Sequence, residues 1–297
     1  MLSQEPVTTT LSRIKDMAKN SKSAGDARTR ARQMHEKQLK KEKRNAQITT
    51  WSIVGVVVLV IAVIAGLLIW NQNRSIPESG EAPTIANEHG GITLVSTTEF
   101  AEGESLGEVS ANEVGESNIT DEPPEEVPGG EERDQDEPAQ VIIYADPDCV
   151  HCADFEMANS EFINEKLDAE EITVEYRLVN YLDNPGTNNF SSRAANTALC
   201  TAAEHPEKFN DVLTALFETY STHQGQGLSN DELKQLASDN GADVSDCMSN
   251  NTYRPFVDYT AAKAREGGIA GTPSIWVNGT FTTQDSFQDD VNNAIED

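Results

Sequence analysis

Val141-Ile-Ile-Tyr-Ala-Asp-Pro-Asp-Cys149-Val-His-Cys152-Ala-Asp-Phe155-Glu156 is the stretch that decides how this chain is read. An apolar run of strand character ends in a turn, and a Cys-x-x-Cys pair follows where a helix begins. Free backbone N–H groups at a helix start, with the helix dipole, favour a thiolate over a thiol, and the thiolate is the nucleophile. The spacing predicts two unequal sulfurs. Cys149 should be exposed with a lowered pKa, and Cys152, one turn further in, shielded and closer to an ordinary thiol. A structural zinc site is the rival reading, but such frameworks carry a second close pair of Cys or His. Cys200 and Cys247 are isolated, and of the five histidines only His151 lies near the motif. The pair reads as redox chemistry, with no metal and no cofactor predicted.

Downstream of the pair, Ile172-Thr-Val-Glu-Tyr-Arg-Leu-Val179 alternates as a strand does. A helical block follows, about 186–266. Within it Phe190–Ala203 is Ala-rich, Pro206–Tyr220 places Phe209, Leu213, Leu216 and Phe217 on one face, and Ser229 to Glu232 forms a capping box. Tyr253 to Arg265 closes the block. Gly268-Ile-Ala-Gly-Thr272-Pro273-Ser-Ile-Trp-Val277-Asn-Gly279 then leads through Thr-Pro into a hairpin, Ser274–Val277 and Thr280–Thr282, turning on Asn278-Gly279. A last helix carries Phe287, Val291 and Ile295.

Upstream lies a different kind of sequence. Trp51 to Trp70 is an uncharged apolar run, long enough at ~1.5 Å per residue to cross a hydrocarbon core of about 30 Å. Almost fifty residues precede it and no small-x-small site follows, so it reads as a retained anchor rather than a cleaved signal peptide. Twelve Lys and Arg against five Asp and Glu give the segment before it a net charge of +7, which leaves −35 for the rest of the chain's −28. Lys40, Lys41, Lys43 and Arg44 lie just before the run, which places the N-terminus in the cytoplasm and the C-terminal body outside. All four cysteines follow the run, in a compartment where disulfides persist. So acidic an exterior repels phosphate, and no nucleic-acid partner is expected. Four regions result: a basic cytoplasmic tail (1–47), a membrane helix (48–70), an acidic linker (71–139) rich in Glu, Pro and Gly, and a globular domain (140–297). The linker is predicted flexible and disordered. Within it, Gly91–Thr97 reads equally as loop or as an edge strand of the domain.

The Cys-x-x-Cys helix start and the Thr272-Pro273 segment together resemble the active site of DsbA-like thiol–disulfide oxidoreductases. The resemblance covers about 140–297 and implies an α/β thioredoxin fold with a helical insertion. It implies that Cys149 attacks, that Cys152 resolves the mixed disulfide, and that His151 stabilises the Cys149 thiolate, making the disulfide more oxidising. It implies a cis Thr272-Pro273 bond, X-Pro being where cis is cheap, with the Thr272 backbone offered to a bound peptide. Glu156 matches an acidic position in the family helix and reads either as a proton relay near Cys152 or as a surface glutamate. Cys200 and Cys247 are either two buried thiols or a bridge, and the compartment together with the family favours the bridge. Two features depart from the pattern. Val150 stands where proline is common, and Asp146, Asp148 and Asp154 surround the pair. A carboxylate about 8 Å away would cost a thiolate about 1 to 2 kcal/mol at an effective dielectric of 20 to 40.

The expected protein introduces disulfides into exported proteins from a single-pass position in the cell membrane, and a membrane redox partner of quinone-linked type reoxidises it. Its rivals are a reductase or isomerase of the same fold, serving haem or copper-site assembly, and a metal- or peptide-binding module without turnover. Metal content separates the last from the others, and the reduction potential separates the first two.

Overall fold

The computed structural model describes residues 34, 63, 76–120, 122–133 and 137–296. The basic tail and the membrane helix expected over 1–70 lie outside these residues, Met34 and Val63 apart. Among the described residues, no helix is long and apolar enough to cross a membrane. The chain divides into Met1–Ser75 and Ile76–Asp297, and the fold described below is that of the second unit.

Three short strands come first, β1 (Ser79–Glu81), β2 (Ile92–Leu94) and β3 (Glu108–Ser110). Next are β4 (Ala139–Ala145), α1 (Val150–Asp168) and β5 (Ile172–Leu178). A run of helices follows: α2 (Phe190–Glu204), α3 (Phe209–Glu218), α4 (Tyr220–His223), α5 (Asn230–Asp239), α6 (Ser245–Asn250) and α7 (Arg254–Glu266). The hairpin β6 (Ser274–Val277) and β7 (Thr280–Thr282) and the helix α8 (Phe287–Glu296) complete the unit.

The main sheet has the order β2-β5-β4-β6-β7. β4 and β5 run parallel from Ala139 opposite Ile172 to Ala145 opposite Leu178, with α1 as their crossover, since a parallel pair cannot be joined by a tight turn. The other neighbours are antiparallel. β4 is buried along its whole length because helices cover both faces. Val141, Ile143 and Ala145 share a core with Phe155, Ile163 and Leu167 of α1 and Phe287 of α8, whereas Ile142, Tyr144 and Trp276 meet Ala261 and Ala264 of α7. This is the α/β arrangement the resemblance implies, with α2–α7 inserted between β5 and β6.

The stretch expected to be a flexible linker is a correction. Its described part is folded onto the domain: β1 pairs with β3, and β2 forms the sheet edge against β5, Ile92 opposite Tyr176. The segment is poor in apolar residues, but Ala82, Ala86, Ile92, Leu94, Val109 and Val127 are all buried. Hydrogen bonds to α7 do the rest. Tyr259 Oη donates to the Glu88 carbonyl at 2.7 Å, Thr260 Oγ1 to that of Gly90 at 2.9 Å, and Asn118 N–H to that of Arg265 at 2.9 Å. Composition counts apolar residues and misses where they land. With β2 in place, Glu175 and Arg177 of β5 become a buried pair, Nε to Oε1 2.5 Å, and the chain passes so close that a Cβ at Gly91 would collide with the Glu175 carboxylate.

In the insertion, the single helix read over Pro206–Tyr220 is three pieces. Pro206 opens a 3-10 turn, α3 starts at Phe209, and the chain turns at Thr219, whose hydroxyl donates to the Leu216 carbonyl at 2.6 Å, before α4. The Ser229–Glu232 capping box is present. Cys200 of α2 and Cys247 of α6 are joined in a disulfide, Cα to Cα 5.9 Å.

Candidate active site

β4 ends at Ala145, and Asp146-Pro147-Asp148 turn the chain into α1. Asp146 organises the turn. Its Oδ1 accepts the Asp148 N–H and its Oδ2 the Leu182 N–H, both at 2.9 Å, while its carbonyl accepts the Cys149 N–H at 3.0 Å. One buried carboxyl thus ties the end of β4 to the loop after β5, a side chain standing in for a turn's backbone partner.

Cys149 is the N-cap of α1, with extended backbone and no capping side-chain bond. Its pKa is lowered to about 5. The Cys152 thiol hydrogen-bonded to its sulfur is the main cause, burial opposes it, and Thr272 and the backbone N–H groups of Cys152 and His151 add to the lowering. The Cys152 thiol is pushed well above its ordinary value, first by burial and then by the neighbouring Cys149. Two sulfurs three positions apart therefore have opposite tendencies, as a helix start predicts.

The exposure of Cys149 is a correction. It was expected to be open to solvent, yet only 6 % of it is accessible, against 1 % for Cys152. The Thr272 carbonyl accepts a hydrogen bond from Cys149 Sγ at 3.3 Å, so the loop before β6 lies against the sulfur. No local pattern could bring residue 272 over residue 149. The Thr272-Pro273 bond is cis, and both residues are half-buried. His151 is exposed, and its backbone N–H is the part that acts on Cys149.

The three acids differ in setting. Asp154 is exposed. Asp146 is buried, and burial pushes its pKa up to about 7. Asp148 is buried too and pushed up to about 6, by burial first and then by the charges of Asp183 and Cys149, with Arg193 opposing. Asp146 is therefore only about half-charged at pH 7, whereas Asp148 is still mostly ionised there and loses its charge as pH falls through about 6.

Glu156, one turn beyond Cys152, is buried rather than a surface residue. Burial raises its pKa to about 7, its Oε2 accepts the Tyr176 hydroxyl of β5 at 3.4 Å, and its Oε1 has no partner among the described residues. Tyr176, Asp146 as a turn anchor and His223 beside Asp148 were not singled out from sequence. The Asp-Pro-Asp turn was a usable signal for Asp146. Tyr176 looked like any strand aromatic, and His223 lies too far along the chain to be linked to the motif. Among the described residues, no three His, Cys, Asp or Glu side chains converge as a metal would need.

The arrangement suits thiol exchange: a stabilised thiolate, a shielded second thiol within reach, a backbone carbonyl beside the sulfur, and a buried acid that can hold a proton. A family sequence model described as "Thioredoxin" matches residues 134–297. Over 150 residues the chain is 26 % identical to the serine/threonine-protein kinase PknE of Mycobacterium tuberculosis, covering 47 % of this chain and 26 % of the kinase. The match thus spans about a quarter of the length of that relative. Among solved structures, the reduced DsbA of Mycobacterium tuberculosis is 24 % identical over 60 % of this chain and 91 % of its own, with a TM-score of 0.47. MdbA of Corynebacterium diphtheriae, described as a thiol-disulfide oxidoreductase, is 15 % identical over 75 % of this chain and 96 % of its own, with a TM-score of 0.49.

Proposed function

The chain belongs to the thioredoxin family through residues 134–297, and from that membership we propose that it is a DsbA-like thiol–disulfide oxidoreductase that introduces disulfides into exported proteins. The observation that carries this reading is the inequality of the two thiols, Cys149 lowered to about 5 and Cys152 raised well above its ordinary value. In the oxidised protein a substrate thiolate attacks the Cys149 sulfur, and Cys152 leaves and takes a proton. A second substrate thiol then attacks the substrate sulfur of the mixed disulfide, and Cys149 leaves as a thiolate. A low leaving-group pKa speeds that last step and stabilises the reduced protein, so the disulfide is oxidising. Glu156, one helical turn beyond Cys152 and half-protonated near pH 7, supplies the Cys152 proton in this reading. The Thr272 carbonyl and Pro273 form the wall along which a substrate segment lies.

The same reading includes a single membrane span at 51–70, an N-terminus in the cytoplasm, the folded domain outside, and reoxidation by a quinone-linked membrane partner. The uncharged 20-residue run and the charge contrast of +7 against −35 support the topology. A reductase or isomerase of the same fold is separated by the measured potential. The decisive experiment is trapping in intact cells. Cys152→Ala is expected to accumulate mixed disulfides with exported proteins on non-reducing gels, and Cys149→Ala almost none. Equal trapping by both, or by neither, overturns the exchange mechanism.

A further inference from the structure

Asp148 occupies an unusual place for a carboxylate. It directly precedes Cys149, it is buried, and its Oδ1 has no hydrogen-bond partner among the described residues. The charged and titratable groups around it come from every element packed there. Cys149 lies at the start of α1, Asp146 in the same turn, Asp183 after β5, Arg193 on α2 and His223 at the end of α4. None of them holds the charge. Arg193 opposes the rise in the Asp148 pKa, but its guanidinium donates to the carbonyls of Asn188 and Thr187 and to Asn230 Oδ1, at 2.8, 3.1 and 3.0 Å. His223 Nδ1 stands 4.0 Å from Asp148 Oδ1, but this nitrogen accepts the N–H groups of Gly225 and Gly227 at 3.1 and 3.2 Å. An acceptor nitrogen has no proton to offer, so the contact is not an ion pair. Asp146 is the contrast, because each of its oxygens already accepts a backbone N–H.

We propose, on the footing of the exchange reaction above, that Asp148 is the proton-holding partner of Cys149: its carboxyl takes up a proton when the Cys149–Cys152 disulfide is reduced and releases it on oxidation. A substrate dithiol gives up two electrons and two protons as its own disulfide forms. The electrons break the Cys149–Cys152 bond. One proton goes to Cys152 and the other to the Asp148 carboxylate, leaving Cys149 a thiolate. Asp148 and Cys149 together then carry one negative charge in both redox states. A buried site avoids holding two adjacent anions, and its oxidising power does not drain away as substrate protons are released. Asp148 acts through the sulfur and touches no substrate, so it is a positioning residue.

The test is the pH dependence of the equilibrium between the purified full-length protein and dithiothreitol, whose thiols stay protonated over pH 5 to 7.5. Without Asp148, the two protons of dithiothreitol meet only one acceptor, and the constant for reducing the protein rises about tenfold per pH unit, about 30 mV for a two-electron couple. With Asp148 part of the second proton is absorbed as well, and around pH 6, where this carboxyl titrates, the constant rises only about half as steeply. Wild-type protein and Asp154→Asn are expected to show the shallower profile, and Asp148→Asn the steep one. Proton uptake on reducing wild-type protein near pH 6 gives an independent count, about one and a half per disulfide against about one for Asp148→Asn. Equal slopes in wild type and Asp148→Asn, an uptake of one proton, or a slope change in Asp146→Asn alone overturns the assignment while leaving exchange intact. A Cys149–Cys152 disulfide that does not exchange at any pH overturns the exchange reaction itself and the Asp148 role with it.

Discussion

Cys149 and Cys152 stand three residues apart at the start of one helix, whereas Cys200 and Cys247 are 47 residues apart and join two helices of the insertion. All four are buried, and the first two are free thiols in the structure while the second two are bonded. Burial therefore does not separate a working pair from a structural one. The difference lies in the polar surroundings. Cys149 meets helix-start N–H groups, a neighbouring thiol and Thr272, which favour its charge, and an Asp148 carboxyl whose pKa its charge raises. Cys200 and Cys247 share the same apolar core with Leu199, Leu233 and Phe217, but their sulfurs are tied to each other and carry no charge.

The largest expected effect strikes the structural pair. Replacing Cys200 and Cys247 together with Ala opens the 47-residue loop, and chain entropy puts the loss at on the order of 4 kcal/mol. Denaturant melts should show it, while the Cys149 thiolate absorbance of the folded variant stays unchanged. Ready alkylation of both cysteines in the native, unreduced protein would break the contrast outright. The matching Cys149→Ser, Cys152→Ser variant should lose exchange and keep most of its stability.

Next in size is Glu156. Its folded pKa of about 7 lies above the ordinary 4.5. Between those values the folded protein keeps a proton that the unfolded chain has released. Stability therefore falls as pH rises, by on the order of 1.4 kcal/mol per unit, and the loss is complete above about 7. Glu156→Gln should flatten that part of the stability profile and make the protein more stable at pH 8 than wild type. An unchanged slope between pH 5 and 7 would mean that this acid is not held neutral.

The smallest effect belongs to His151. The imidazole is exposed, and a serine keeps the backbone N–H that acts on Cys149. His151→Ser should shift the exchange equilibrium toward the oxidised protein by less than about tenfold, or about 30 mV. A larger shift would return to the side chain the role that the resemblance assigns it.

Much of this was legible in the chain. The turn-to-helix junction at Asp146–Cys149 carries its own chemistry, because N–H groups at a helix start act over a few residues. The hairpin at 274–282 and the Ser229–Glu232 cap are likewise short-range patterns and read directly. The acidic segment was misread because Ile92 and Leu94 look unremarkable until β5 lies beside them. Glu156 stayed undecided for a similar reason. A glutamate on a helix is inside or outside only relative to Tyr176 and the sheet beneath it.

The sequence by itself determined the order of elements, the helix-start cysteine pair and the local N–H groups that favour a thiolate at Cys149, all set within a few residues, while the burial that raises Cys152 came from the fold. Tertiary structure decided that Cys149 lies under the Thr272 carbonyl, that Asp146 and Asp148 are buried acids instead of surface charges, and that the described part of 71–139 is a folded flank of the sheet. The physical reason is range. Backbone dipoles and side-chain periodicity act locally, whereas burial, and with it the charge of every group around the sulfur, depends on which distant segments close over it.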